Sequence, residues 1–234
     1  MLLISGGVIF TYSWNNIGNY PDKLWLHRCN SIEKMKEQKD IYNHVEVDIV
    51  YRGNGVFDVT HDEEISYNLH LDSYFAEIKK DSSKLWLDIK NVTLSNCFEM
   101  KEELNKLCTF YGINKNQLII EGGNPLALET FTKDEYYTSY YVPFDKPSNL
   151  SNTEIDSCIS TLQGIVDSHK TQAISFPGWW YNTIKARLNR SIDLLTWKHR
   201  TTQLEFFLSP KHFQMLKDPQ LKVILIKSKG KYHR

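Results

Sequence analysis

No stretch of this 234-residue chain is apolar for the roughly 20 residues that a membrane-crossing helix needs. The nearest candidate, Met1–Trp14 (MLLISGGVIFTYSW), is too short, holds two glycines and lacks the basic flank of a signal peptide. It reads as an initial strand or a helix packed over one end of the fold, with a trimmed export anchor as the alternative. Net charge is missing as well. Lys+Arg and Asp+Glu stand at 28 each, so no global field draws the chain to nucleic acid, and no such partner is expected. The basic tail Lys227–Arg234 reads as a frayed, solvated end. Cysteine is sparse: Cys29, Cys97, Cys108 and Cys158 form no Cys-x-x-Cys pair and no zinc-ligand spacing. Cys97 and Cys108 would lie about 16 Å apart along a helix, too far for a disulfide. All four read as reduced, which points to the cytoplasm. Linkers, low-complexity tracts and repeats are absent, so residues 1–234 read as one domain.

What the chain does contain is a regular alternation. Strand-like runs lie at Leu24–Cys29, His44–Tyr51, Leu85–Asn91, Gln117–Gly122, Tyr137–Val142, Gln172–Phe176, Ile192–Trp197 and Leu221–Lys227. A ninth short run, Val56–His61, follows Arg52-Gly53-Asn54-Gly55, whose Asn-Gly step suits a hairpin. Leu94–Tyr111 and Ser151–Ser168 carry apolar stripes at helical spacing, and Gly112 sits where a helix C-cap belongs. Ser209-Pro210 opens a further short helix that Pro219 ends. Eight strand–helix units predict an α/β chain folded as a single (β/α)8 TIM barrel. Residues 1–20 would then be an N-terminal extension or barrel cap.

Strand parity decides what faces the barrel axis, because residues two apart share a face. Trp25 pairs with His27, Glu46 with Asp48, and Trp86 with Asp88 and Lys90. In each strand the tryptophan or acid that comes first lies lower, and the chemistry lies at the C-terminal mouth. Glu46, Asp48 and Asp88 could give three carboxylate oxygens to one hard cation, Mg²⁺ or Ca²⁺. The competing reading makes Glu46 or Asp88 a structural partner of Lys90 or Arg28. His27 and His61 are suited to opposite proton transfers, since histidine ionises near neutrality. Lys90 and Arg28 can balance phosphate charge. Arg28 follows His27 directly, so parity alone leaves its side chain free to face either way. Asp62 is read as orienting His61 or a turn amide.

At these residues the chain resembles the glycerophosphodiester phosphodiesterase family of phospholipase-C-like barrels. The family's HR motif matches His27-Arg28, its ExD motif Glu46-Val47-Asp48, its HD motif His61-Asp62, and its acidic-x-Lys motif Asp88-Ile89-Lys90. His61 lies thirteen positions after Asp48, a spacing similar to that family and to the spider-venom type phospholipase D enzymes. Asp rather than Glu before x-Lys is closer to the venom type. The family's late tryptophan at the end of barrel strand seven matches Trp197. The resemblance implies metal-dependent cleavage of a glycerophosphodiester or a related phospholipid or glycan phosphodiester. His27 and His61 would be the acid/base pair, assisted by Lys90, and in such families a substrate hydroxyl often attacks first to give a cyclic phosphate. It further implies a role in lipid metabolism, a small-molecule or lipid substrate held by Arg28, Glu121 and Trp197, and leaves membrane contact open.

The chain also departs from the family. HRG is His27-Arg28-Cys29 here, Ser31–Gln38 replaces the PENT signature, and only Glu63–Lys84 separates the HD motif from the next barrel strand. The short insertion is similar to the animal menorin-like relatives. These changes bear on substrate choice. Two alternatives stand beside the phosphodiesterase: a glycosidase using Glu121, and a non-catalytic barrel that binds a metal or ligand through mouth aromatics such as Phe176, Trp179, Trp180 and Tyr181.

Overall fold

Short β-branched and leucine-rich runs form strands here because each is buried on both faces, inside against the barrel axis and outside against helices. The computed structural model describes residues 19–79, 81–202, 206 and 210–228. The expectations for Met1–Trp14, for Ser209 and for the end of the basic tail fall outside these residues. The strands are β1 (Leu24–Leu26), β2 (Val45–Tyr51), β3 (Phe57–Val59), β4 (Leu85–Ile89), β5 (Leu118–Gly122), β6 (Tyr137–Tyr141), β7 (Ala173–Pro177), β8 (Asp193–Thr202) and β9 (Leu221–Lys227). All but β3 run parallel in the order β1-β2-β4-β5-β6-β7-β8-β9, and β9 pairs back with β1. The ring closes as an eight-stranded parallel barrel.

β3 is the ninth run, folded antiparallel onto β2 with Ile49 opposite Val59 and Tyr51 opposite Phe57. Gly53, Asn54 and Gly55 all take positive φ (86°, 49° and 79°), the backbone this reversal requires. The hairpin brings the chain back down to the barrel mouth, so that the Thr60 N–H donates to the Asp48 carbonyl at 3.2 Å.

The helices are α1 (Ile32–Gln38), α2 (Leu71–Ile78), α3 (Cys97–Tyr111), α4 (Pro125–Thr132), α5 (Asn152–Asp167), α6 (Tyr181–Arg187) and α7 (Pro210–Lys217). α3 starts three residues later than its stripe suggests, since Asn96 and Thr93 make a turn of their own. It ends at Gly112, left-handed at φ 69°. Ser151 caps α5 in a reciprocal box with Glu154. Among the described residues no helix is long and apolar enough to cross a membrane.

Burial follows parity. Leu24, Leu26, Val45, Val47, Leu85, Leu87, Leu118 and Ile120 pack outward into the main core, beneath the helices. Trp25, Trp86, Ile119, Ala173, Leu195, Trp197, Val223 and Leu225 form a second cluster inside the barrel. The barrel is thereby filled below its mouth, and Trp25 and Trp86 occupy lower layers as their position in the strands indicates.

Four strand ends at site residues differ from the sequence reading, one of them β4, which stops at Ile89 and leaves Lys90 just past it. β1 stops at Leu26, so His27 and Arg28 lie in the turn beyond it, and Arg28 adopts a left-handed φ of 50°. His61 likewise lies past β3. β8 runs on to Thr202, so Trp197 sits mid-strand instead of at the strand's end. Cys29, Cys97 and Cys108 are buried, Cys158 is half-buried, and all four are free thiols.

Candidate active site

The turn after β1 is held at three successive carbonyls. The buried Lys34 ammonium, carried back by α1, donates to the His27 carbonyl (3.1 Å) and the Arg28 carbonyl (2.6 Å). The Tyr74 hydroxyl donates to the Cys29 carbonyl at 2.6 Å. Asn30 locks onto Asp48 twice: its amide donates to Asp48 Oδ2 (2.7 Å), and its side-chain oxygen accepts the Asp48 N–H (3.0 Å). This clamp turns Arg28 inward, with its Nε 3.9 Å from Asp48 Oδ2 and its backbone N–H 2.6 Å from Glu46 Oε2. The question that parity left open is answered by the turn.

Glu46 and Asp48 stand side by side on β2, and the register places Asp48 opposite Asp88 and Asp88 opposite Glu121. One oxygen each from Glu46, Asp48 and Asp88 lies within 4.8 Å of the others. Lys90 bridges two of them, at 2.6 Å from Asp48 Oδ1 and in contact with Asp88 Oδ2. Burial works against the charge of Asp48, yet Lys90, Asn30 and Arg28 together hold its carboxyl below the ordinary range. Burial and then the neighbouring acids push Glu46 well above that range. Asp88 is also raised, by burial first and by Asp48, against the pull of Lys90. Two of the three acids are therefore electrostatically unsatisfied by the protein alone. The donor set fits a hard dication: three carboxylate oxygens converge, and their mutual repulsion is what a cation would relieve. The structural reading of these acids holds, since Asp88 contacts Lys90 and Glu46 accepts the Arg28 backbone N–H.

His27 is buried, its Nε2 lies 3.8 Å from Glu46 Oε2, and its Nδ1 has no hydrogen-bond partner among the described residues. Burial depresses its pKa well below 6.5, which keeps the ring neutral. His61 approaches from the loop after β3, half exposed, with its Nδ1 2.8 Å from Asp62 Oδ1. Asp62 thus orients His61.

Glu121 forms the floor. Its Oε2 accepts the Trp86 indole N–H at 2.7 Å, and its Oε1 contacts the Ser175 hydroxyl, which also reaches the Tyr140 carbonyl at 3.2 Å. Burial and then the charge of Asp88 push the Glu121 carboxyl well above its ordinary value of 4.5, favouring the neutral acid. A neutral acid can donate to Ser175 while Ser175 donates onward. Unfolded chains ionise this group above about pH 4.5 while the folded chain resists, so stability from it is present below that pH and is lost as pH rises towards the folded value. Glu121→Gln mimics the neutral acid and keeps both bonds. The melting temperature of the variant relative to the wild type is expected to climb between pH 4.5 and 8; a constant difference would contradict the neutral assignment.

One cavity of about 150 Å³ collects every residue singled out above for chemistry: His27, Arg28, Glu46, Asp48, His61, Asp88, Lys90, Glu121 and Trp197. Tyr141 and Lys227 join it unforeseen. Tyr141 stacks on Trp197 with ring centres 5.4 Å apart and planes 13° from parallel. On the intervening strand β7, Ser175 lies opposite Tyr141 and Pro177 opposite Trp197. Tyr141 and Lys227 were readable by the same parity rule, at the C-terminal ends of β6 and β9. Asn30 and Lys34 were not, because a loop places them. A larger cavity of about 510 Å³ at the opposite end, between Trp25, Tyr137, Asp193 and Lys222, contains no histidine.

Solved structures resemble this barrel over most of its length. A glycerophosphodiester phosphodiesterase from Parabacteroides distasonis matches with a TM-score of 0.60 and 15% identity, over 87% of this chain and 92% of its own. The fold is that of the glycerophosphodiester phosphodiesterases. A phosphodiesterase from Oleispira antarctica, solved with the product sn-glycerol-3-phosphate, matches with a TM-score of 0.56 and 12% identity, over 90% of this chain and 94% of its own. No protein-family model matches the sequence, and comparison with curated proteins gives no significant match.

Proposed function

We propose that the chain is a metal-dependent phosphodiesterase acting on glycerophosphodiesters or closely related small-molecule or lipid phosphodiesters. The observation that carries the reading is the convergence of His27, His61, Glu46, Asp48, Asp88 and Lys90 on one cavity at the barrel mouth. Glu46, Asp48 and Asp88 are the residues that would hold Mg²⁺ or Ca²⁺, which when bound supplies positive charge to the non-bridging phosphate oxygens.

The protein's own groups divide the remaining work. Neutral His27 is suited to accept the proton of the attacking hydroxyl. That hydroxyl is either water or a hydroxyl of the substrate, in which case a cyclic phosphate forms. His61, fixed through Nδ1 by Asp62, has its other ring nitrogen for the leaving oxygen. Arg28 and Lys90 offset the charge that builds on phosphorus oxygens in the transition state. The Tyr141–Trp197 stack offers a flat apolar wall to the alcohol portion. Glu121 is committed to Trp86 and Ser175, which takes support from the glycosidase alternative.

Chelation tests the reading. Hydrolysis of bis-p-nitrophenyl phosphate is expected to stop in EDTA and to return with excess Mg²⁺ or Ca²⁺. Turnover indifferent to the chelator would sink metal dependence.

A further inference from the structure

His61, assigned above to the leaving oxygen, stands on a loop that burial does little to fix. The chain runs from β3 through His61 to α2, and every residue from Asp62 to Asn68 is exposed. A proton donor displaced by about 1 Å costs about 10²-fold in rate, so the loop must be held by other means. Its near end is tied at Thr60, whose hydroxyl donates to the Asp62 carbonyl at 3.3 Å. Its far end is tied where the Val59 N–H donates to the Leu69 carbonyl at 2.7 Å. Between them the Ile65 N–H closes a turn on the Asp62 carbonyl at 3.1 Å.

Arg52 reaches across to this middle stretch. Its backbone is fixed in the β2–β3 hairpin, where its N–H donates to the Val56 carbonyl at 2.9 Å. Its guanidinium donates from Nε and Nη2 to Oδ2 of the buried Asp58 on β3, at 3.2 Å each. Nη2 also donates to the Ile65 carbonyl at 2.8 Å, and Nη1 donates to the Glu63 carbonyl. One rigid, planar fork therefore joins a buried strand carboxylate to two loop carbonyls just past His61, a geometry that guanidinium provides and ammonium does not.

We propose that Arg52 is a positioning residue for His61: it fastens the exposed loop to β3 and so fixes where the ring stands against the leaving oxygen. The role rests on the phosphodiesterase reading and deepens it by naming what sets the place of the proton donor.

Two diesters of sn-glycerol 3-phosphate separate positioning from mere support. The glycerol ester leaves as an alkoxide that requires a proton, whereas the p-nitrophenyl ester leaves as a stable phenolate. Arg52→Gln/Asp58→Asn removes the fork without stranding a buried charge. It is expected to lower kcat on the glycerol ester by about 10²-fold with KM little changed, and the loss on the p-nitrophenyl ester should be about tenfold smaller. Arg52→Lys keeps a cation against Asp58, so its melting temperature should stay close to that of the wild type while the unequal losses remain; this variant carries the comparison should the double variant fail to fold. Equal losses on the two esters, or wild-type rates on both, would overturn the positioning role. Backbone NMR order parameters at Glu63–Ile65 separate this from the diesterase reading. If the wild type cleaves neither ester, that reading fails alone. A fall from about 0.85 in the wild type to below about 0.6 in the variants would still support the fastening, and equally rigid loops would overturn it.

Discussion

His27→Ala is expected to lower phosphodiester turnover by about 10²–10⁴-fold, the usual contribution of a positioned acid or base. The reason lies in how the ring is held. It is buried at the barrel mouth, kept neutral by burial, and fixed by a turn whose carbonyls Lys34 grips from below. Its Nε2, 3.8 Å from Glu46 Oε2, is the nitrogen that faces the acid cluster, while its buried Nδ1 has no hydrogen-bond partner among the described residues. His61→Ala should fall in the same range, because the proposed mechanism gives the two rings opposite ends of one displacement. Steady-state kinetics on matched preparations, with circular dichroism to check the fold, measures both. Full turnover in both variants would remove the histidines from the mechanism.

Asp48→Ala should be the most disruptive single change in the site, abolishing turnover and lowering stability together. Asp48 is almost wholly buried and receives Lys90, Asn30 and the outer reach of Arg28. Removing one partner of a buried pair costs about 3–5 kcal/mol, because the remaining groups keep their desolvation cost without its compensation. Lys90 retains Asp88, which places the loss near the lower figure. For a chain of this size that corresponds to a fall of about 6–12 °C in Tm. Differential scanning calorimetry reads this directly, and titration with Mg²⁺ reads the lost site. A variant as stable as the wild type would mean that the cluster carries no structural load.

These variants act at residues that strand parity already assigned to one barrel mouth. Glu46/Asp48 and Trp86/Asp88/Lys90 are legible because a period of two is enforced wherever both strand faces are buried. The hairpin at Gly53-Asn54-Gly55 is legible because few residues tolerate three successive positive φ values. Arg28 is not legible in that way. Its inward aim depends on a left-handed turn that a lysine six residues later stabilises, and no local pattern announces such a contact. The Tyr141–Trp197 stack spans the intervening strand β7, a relation across three strands that linear spacing does not reveal. The overrun of β8 past Trp197 likewise comes from pairing with β9, which continues to Thr202–Lys227.

The most direct measurement is ³¹P NMR of a glycerophosphodiester incubated with the purified protein, first in EDTA and then in Mg²⁺ or Ca²⁺. The diester resonance should persist in EDTA and give way, once the divalent ion is added, to that of a phosphomonoester or a cyclic phosphate. A diester signal that survives both metals, or one that disappears equally in EDTA, would contradict a metal-assisted phosphodiesterase at this barrel mouth.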